Sequence, residues 1–416
     1  MLNIKSLCNS FRDTRENNLY YIDKTEIIEE YLIKRFEKVV LFARPCGFGK
    51  TLTMTMFRDF LDIRQKSESI FSGLKVMDNS DLVEGYMNKY PVIFISLKDV
   101  FGDSFEDVLK NFQITIRSIY DSYADLLDSD KISNFDKELF VKLQRQEMGG
   151  ADTFQSVALL VQMMRIHYDK QVFIIIDEYD VPMAKALEMP YYDEVRDMVE
   201  HMLSYVCKTN ENVKAVMLSG CLYTDTGVNN IIPYTVMSPI YATYIGFTDD
   251  DVKKLLADAG LSDRYDTVAK WYDGYMFGRD KMYCPWDVLL YVKSVLDGTY
   301  DDDRGPESYW LNTSETSINL IHGFFGKTSG ANESFEQLLA GGTIDCTVNE
   351  FVPYHRIHEN GTNLWSALVE TRYLTKAVTG CPPLMPLRIP NRSVQIVFQQ
   401  EVWEFFKDKV DNVYNR

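Results

Sequence analysis

The chain has 416 residues, of which 46% are apolar and 25% charged, and it carries a formal net charge of −17 with a pI near 4.8. This length predicts two or three structural units, and a 13% share of aromatic residues supplies large cores and excludes a disordered chain. The acidity argues against a protein that wraps nucleic acid over its whole surface, leaving only a local basic patch open.

No stretch reaches the roughly 18 apolar residues of a membrane span, and the N-terminal residues have no apolar core of signal-peptide length. The expected location is therefore the cytoplasm, away from membranes. The seven cysteines, Cys8, Cys46, Cys207, Cys221, Cys284, Cys346 and Cys381, are odd in number and form no C-x-x-C pair. That spacing speaks against a zinc site or a disulfide framework.

Along the chain, Asp23 is placed to cap a helix from about Thr25 to Arg35. Lys38 to Ala43 is a short apolar run, followed by Arg44-Pro45-Cys46-Gly47-Phe48-Gly49-Lys50-Thr51. The pattern reads as buried strand, tight loop, then helix. That helix, from about Lys50 to Asp62, carries Leu52, Phe57, Phe60 and Leu61 at helical spacing. Pro91 to Leu97 is a second buried strand, with helices near 104–128 and 152–168 after it. Val172 to Ile176 is a third strand that runs into Asp177 and Glu178. A helix near 191–207 leads to a fourth, Lys214 to Gly220. Apolar strands alternating with helices predict an α/β fold whose parallel sheet is covered on both faces.

From about Phe247 the pattern becomes mainly helical, and Thr248 followed by acids is a good helix start. Asp301 to Asp303 with Gly305 and Pro306 predicts an exposed turn, and an α+β stretch runs from about Ser334 onward. The expected units are an N-terminal segment (1–36), the α/β domain (37–245), a helical domain (246–330) and a small α+β region (331–416).

The loop after the first strand carries the chemistry. A phosphate needs several backbone N–H groups aimed at one spot, a cation and a helix N-terminus. Gly47 and Gly49 permit close backbone approach, Lys50 reaches β- and γ-phosphates, and the Thr51 hydroxyl serves Mg²⁺. Arg44 stands where the usual G-x-x-x-x-G-K-[ST] pattern begins with glycine. The nucleotide-contacting stretch is taken as Arg44, Pro45, Cys46, Gly47, Phe48, Gly49, Lys50, Thr51 and Leu52. Asp177 is the second assigned metal residue, and Glu178 the general base that orients and deprotonates water. Ser219, at the end of the fourth strand, is the candidate γ-phosphate sensor, although a hydroxyl there also serves local backbone. The Pro91 to Leu97 strand lies in sequence between the lysine strand and the Asp-Glu strand, which suits additional-strand ATPases rather than simple kinases. His355 and His358 have no third ligand nearby, and Trp271 to Tyr275 reads as core and turn.

At this point the chain resembles the prokaryotic predicted AAA-ATPase-like proteins, P-loop proteins often fused to a PD-(D/E)XK-type nuclease domain. The likeness rests on Tyr20-Tyr21-Ile22-Asp23-Lys24-Thr25, the Arg44 to Thr51 loop, Tyr90 to Ile93, Leu97 to Val100 and Ile176 to Pro182. It continues through Asn229-Asn230, Gly246 to Thr248, Trp271 to Tyr275, Pro285-Trp286, Tyr309 to Ser314 and Ile389 to Asn391. The resemblance implies ATP binding and hydrolysis with Mg²⁺ through Lys50, Thr51, Asp177 and Glu178. It also accounts for Arg44, because that family's loop begins with Arg-Pro.

Three departures stand out. The family loop usually has two basic residues where Cys46 and Gly47 stand, and a Gly-x-x-Arg where Gly220 is followed by Tyr223. The chain ends soon after Asn391 with no Asp…Glu-x-Lys arrangement, so no nuclease activity is expected. The leading expectation is an ATPase that couples hydrolysis to conformational change. The alternative is a nucleotide-gated binding or regulatory module with little turnover, linked to mobile elements or defence. The partner is then ATP together with an unidentified protein or a further copy of the chain. A DNA-directed role is disfavoured by the charge and would show as a basic patch with salt-dependent affinity.

Overall fold

The computed structural model describes residues 2–4, 8–147, 149–208, 210–224, 227–309, 331–377 and 384–400. Trp310 to Ser314 of the motifs above, Cys381 and the end of the C-terminal stretch lie outside the described residues.

Five strands form the central sheet: β1 (Val39–Ala43), β2 (Val92–Ser96), β3 (Val172–Asp177), β4 (Val213–Gly220) and β5 (Ile232–Tyr234). All pair in parallel, in the order β2-β3-β4-β1-β5. Every residue of β1 and β3 is buried. Continuous Val, Ile, Leu and Phe is the composition expected of strands with helices on their faces. The Lys50–Leu61 helix contacts β2, β3 and β4. Those at Gly150–Tyr168 and Tyr192–Cys207 contact β3 and β4 respectively, and Phe105–Asp121 contacts β2.

The strand inserted in space differs from the one inserted in sequence. β2 takes the sheet edge, and β4 separates β1 from β3. Register places Ala43 beside Gly220, and Ile176 beside Leu218, so the C-terminal ends of β1, β4 and β3 converge on one edge. In open α/β sheets that edge is where ligands bind.

Local geometry departs from the periodicity reading at two helices. The run expected over 104–128 is a helix at Phe105–Asp121 followed by a 3₁₀ turn at Ala124–Asp128. The helix expected over 25–35 is one α-turn, Glu26–Glu29, that widens into a π-turn at Glu30–Lys34. Asp23 does not cap it. Its carboxylate accepts from Thr25 N at 2.9 Å, from Thr25 Oγ1 at 2.6 Å and from Lys75 N at 2.8 Å. A short acidic side chain satisfies neighbouring backbone this way when the chain turns.

The segment after Phe247 contains helices at Asp249–Asp258, Tyr265–Tyr272 and Pro285–Leu296. Thr248 and Asp251 form a reciprocal capping box at the first, an arrangement whose loss typically costs ~0.5–2 kcal/mol. Between the second and third helices lies a hairpin, β6 (Tyr275–Phe277) with β7 (Asp280–Met282), which the mainly helical expectation missed. Gly274 at φ 108° stops the preceding helix, and a Cβ there would meet the Pro390 carbonyl at 2.2 Å. This segment has its own buried cluster, including Leu255, Leu256, Val288 and Tyr291, which also takes in Ile4 and Ile22 from the N-terminus. Lys24 fastens the two by donating to the Thr243 carbonyl at 2.9 Å and pairing with Asp251. Beyond it a small antiparallel sheet, β8 (Ile344–Cys346), β9 (Thr375–Lys376) and β10 (Met385–Arg388), has the order β8-β10-β9 and accompanies a helix at Gly361–Glu370. Leu368 and Phe398 from this region join the same buried cluster as the central sheet. Among the described residues, no helix is long and apolar enough to cross a membrane.

Candidate functional site

β1 ends at Ala43, and the chain turns through Arg44 to Gly49 before the Lys50–Leu61 helix begins. Gly47 at φ 85° and Gly49 at φ 95° are left-handed, a region that costs other L-residues roughly 1–2 kcal/mol. Gly49 is the N-cap, and its carbonyl accepts from Thr53 N at 3.0 Å, closing the first helical turn. Lys50 is buried and folds back across the loop, with Nζ donating to the carbonyls of Arg44 at 2.8 Å and Pro45 at 3.3 Å. Burial alone would depress its pKa, but nearby Cys221, Cys46, Glu178 and Asp180 outweigh that and hold it above the ordinary lysine value.

The Asp-Glu pair sits across the edge. Asp177 is buried, with Thr51 Oγ1 donating to its Oδ2 at 2.8 Å and Ser219 Oγ donating to its Oδ1. Ser219 is thus fully buried beneath the site, spent on orienting Asp177, and it does not line the cavity. Glu178 turns through a left-handed φ of 55°. Burial pushes its carboxyl up to about 7; Lys50 opposes the shift, while Cys46, Asp177 and Asp180 add to it. A carboxylate with a pKa near neutrality is suited to general-base work.

One cavity of about 870 Å³ is lined by the Cys46 to Thr53 loop and helix start, Glu178 and Asp180, with Asp177 outside the lining. Its volume falls in the range of small-molecule sites. Other parts of the chain complete the lining, among them Tyr20, Ile22, Trp286 and Leu289.

Sequence reasoning had no access to several lining residues. Asp180 is buried, and its Oδ2 accepts from Cys221 N at 2.8 Å, Leu222 N at 3.0 Å and Tyr354 Oη at 2.9 Å. It ties the end of β4 to the C-terminal region. Its place two residues after Glu178, inside the Ile176 to Pro182 motif, is the local signal that could have suggested a role. Cys46 Sγ lies 3.5 Å from Cys221 Sγ, because β1 and β4 are neighbours. The contact with Cys221 lowers the Cys46 thiol below its usual value against the effect of burial, and Lys50 and Arg372 lower it further.

Some assigned residues lie elsewhere. The Arg44 side chain is fully buried and turned out of the cavity, with Nη1 donating to the carbonyls of Tyr234 at 2.7 Å and Ala43 at 2.8 Å. It therefore braces β5 against β1, a role opened by the neighbouring strand carbonyls. The cavity lining also omits Pro45. Phe48 contributes to the lining, but its ring is buried against Tyr275 and Phe277 at 5.3 and 4.8 Å. Leu52 lines the cavity from the first helical turn. Tyr223 stacks edge-on to Phe351 at 5.4 Å and is not part of the lining. His358 lies 3.8 Å from Glu188, and the His355 ring faces Tyr192.

Among the described residues, no three His, Cys, Asp or Glu side chains group closely enough to hold a metal unaided. Mg²⁺ does not require such a cage, since it usually keeps several waters and takes one or two protein oxygens plus phosphates. The Thr51 hydroxyl and the Asp177 carboxylate, already 2.8 Å apart, fit that demand.

The sheet order, the lysine loop between β1 and its helix, and acids at the end of β3 define a P-loop nucleotide-binding fold of the additional-strand type. The family model for predicted AAA-ATPases matches residues 7–226, more than half of the chain, and the chain belongs to that family. It is also 28% identical over 402 residues to an uncharacterized protein in the vnfD 5′ region of Azotobacter chroococcum mcd 1. That match covers 93% of this chain and 67% of the relative.

Proposed function

We propose that the protein binds Mg-ATP in the 870 Å³ cavity and hydrolyses it to ADP and phosphate. The observation that carries this reading is the convergence of Lys50, Thr51 and Glu178 on one cavity, with Asp177 hydrogen-bonded to Thr51 beneath it. Lys50 exchanges the Arg44 and Pro45 carbonyls for β- and γ-phosphate oxygens. Thr51 and Asp177 would hold Mg²⁺, which would supply positive charge against the phosphates. Glu178 takes a proton from water as the water oxygen bonds to the γ-phosphorus, and ADP departs with the electrons of the broken P–O bond. Ser219 acts by keeping Asp177 in place.

The four-unit division at 1–36, 37–245, 246–330 and 331–416 belongs to this reading. The helical segment after Phe247 serves as a lid, because Phe247, Trp286 and Leu289 line the same cavity as the loop. A nucleotide-gated module with little turnover is the second reading. It is favoured by Tyr223, whose ring packs on Phe351 where the resemblance led us to expect an arginine.

Phosphate release from Mg-ATP, with ATP binding measured alongside, tests both. Turnover abolished by Lys50→Ala and Glu178→Gln, with binding lost only in the first, supports the ATPase. Binding without turnover in the unaltered chain supports the module. No binding in the unaltered chain defeats both.

A further inference from the structure

Arg372 stands 326 positions from Cys46, yet its guanidinium reaches the phosphate loop. It follows the Gly361–Glu370 helix with a left-handed φ of 70°, and only 1% of its surface is exposed. Nη1 donates to the Cys46 carbonyl at 3.2 Å and to Cys284 Sγ at 2.9 Å. Asp287, in the first turn of the Pro285–Leu296 helix and 2% exposed, lies 3.7 Å away. A Cβ built at Gly47 would fall 3.1 Å from Nη1 and 2.9 Å from Cys284 Sγ. The guanidinium therefore fills the volume into which a side chain at position 47 would project. Arg372 also lines the cavity that Lys50 lines.

A buried arginine–carboxylate pair is a poor stability device, since desolvation costs several kcal/mol per ion and apolar packing of equal volume often does as well. Its placement is more informative. Two distant segments, one carrying Arg372 and the other Cys284 and Asp287, bring a cation, its counter-ion and a thiol to the loop at Cys46 and Gly47. The left-handed backbone at a non-glycine residue is a further cost accepted there.

We propose that Arg372, backed by Asp287, is a positioning residue for the phosphate loop, holding the Cys46 carbonyl so that the turn stays open to a nucleoside triphosphate. The inference rests on the ATP reading above. It makes nucleotide affinity depend on residues outside 7–226, so that the helical segment and the C-terminal region report directly on the loop.

The test uses the full chain with Arg372→Met and Arg372→Lys. ATP affinity, thermal melting and the pH profile of Cys46 alkylation by iodoacetamide, followed by peptide mass spectrometry, are measured in each. Arg372→Met is expected to weaken ATP by about 10-fold or more. Arg372→Lys should fall between it and the unaltered chain, because lysine keeps the charge but loses the planar fork. The alkylation midpoint should rise in Arg372→Met and move less in Arg372→Lys, since a cation beside the thiol favours the thiolate. A lowered melting temperature with unchanged ATP affinity and an unmoved midpoint would mean a purely structural staple and overturn the proposal. If Arg372→Met fails to fold, Arg372→Lys decides alone, and unchanged affinity in it overturns the proposal. If the unaltered chain binds no ATP, the ATP reading fails separately. The alkylation profile then decides whether Arg372 governs the loop, an unmoved midpoint again being the refuting result.

Discussion

Glu178 titrates near neutrality, so kcat/KM for ATP should fall as the pH drops through about 7. An ordinary glutamate in its place, with a value of 4.5, would be almost fully ionised across the same interval. With the pKa at about 7, half of Glu178 carries charge at that pH. About a tenth does one unit lower and about nine-tenths one unit higher, by the usual tenfold-per-unit titration. Between about pH 6 and pH 8, kcat/KM should therefore rise roughly tenfold, against a few per cent for an unshifted carboxyl. The assay is phosphate release at low ATP, which reports the free enzyme's ionisations. Cys46 also titrates below its usual value and helps to raise Glu178. A Cys46→Ser variant should keep the inflection and shift it to lower pH. Stability carries the same signature with a defined sign. A carboxyl whose folded pKa is raised contributes stability that is present below 4.5 and lost as pH rises through about 7. Glu178→Gln should accordingly lose less stability than the unaltered chain between those values. A kcat/KM profile flat across the neutral range, or full turnover by Glu178→Gln, would refute the reasoning.

Three further outcomes follow from the geometry. Asp177→Asn should weaken Mg²⁺ by about 10–100-fold in a metal-dependence titration, while ATP binding measured in chelator is unchanged. Gly47→Ala adds a Cβ at φ 85° that would sit 2.9 Å from Cys284 Sγ. Denaturant unfolding should show a loss of about 1–3 kcal/mol, with ATP affinity reduced as well. Thr248→Ala removes the capping box at the Asp249–Asp258 helix and should cost ~0.5–2 kcal/mol by the same unfolding measurement. No residue of that helix lines the cavity, so ATP affinity should be retained.

Sequence by itself determined what local chemistry can specify. Val172 to Ile176 reads as a buried strand, because five consecutive β-branched and aromatic residues leave no polar face and are too few for a buried helix. Gly-Lys-Thr after one such strand, and Asp-Glu after another, could be read as the proposed phosphate loop and its acids because each set lies within a few residues. Thr248 followed by acids announced a helix start for the same reason. Tertiary structure decided the rest. The place of β4 between β1 and β3 depends on pairings such as Val39 with Val216, across a separation that no short window contains. That adjacency brought Cys46 to Cys221 and buried Ser219 against Asp177. It was the carbonyls of Ala43 and Tyr234 that drew the Arg44 side chain away from the cavity, an outcome its position in the motif did not foretell. The hairpin of β6 and β7 interrupts what read as helix, because Gly274 meets the Pro390 carbonyl from more than a hundred positions away. Arg372 is the extreme case. An isolated arginine carries no local signal, and only the packing of the C-terminal region brings its charge to the loop.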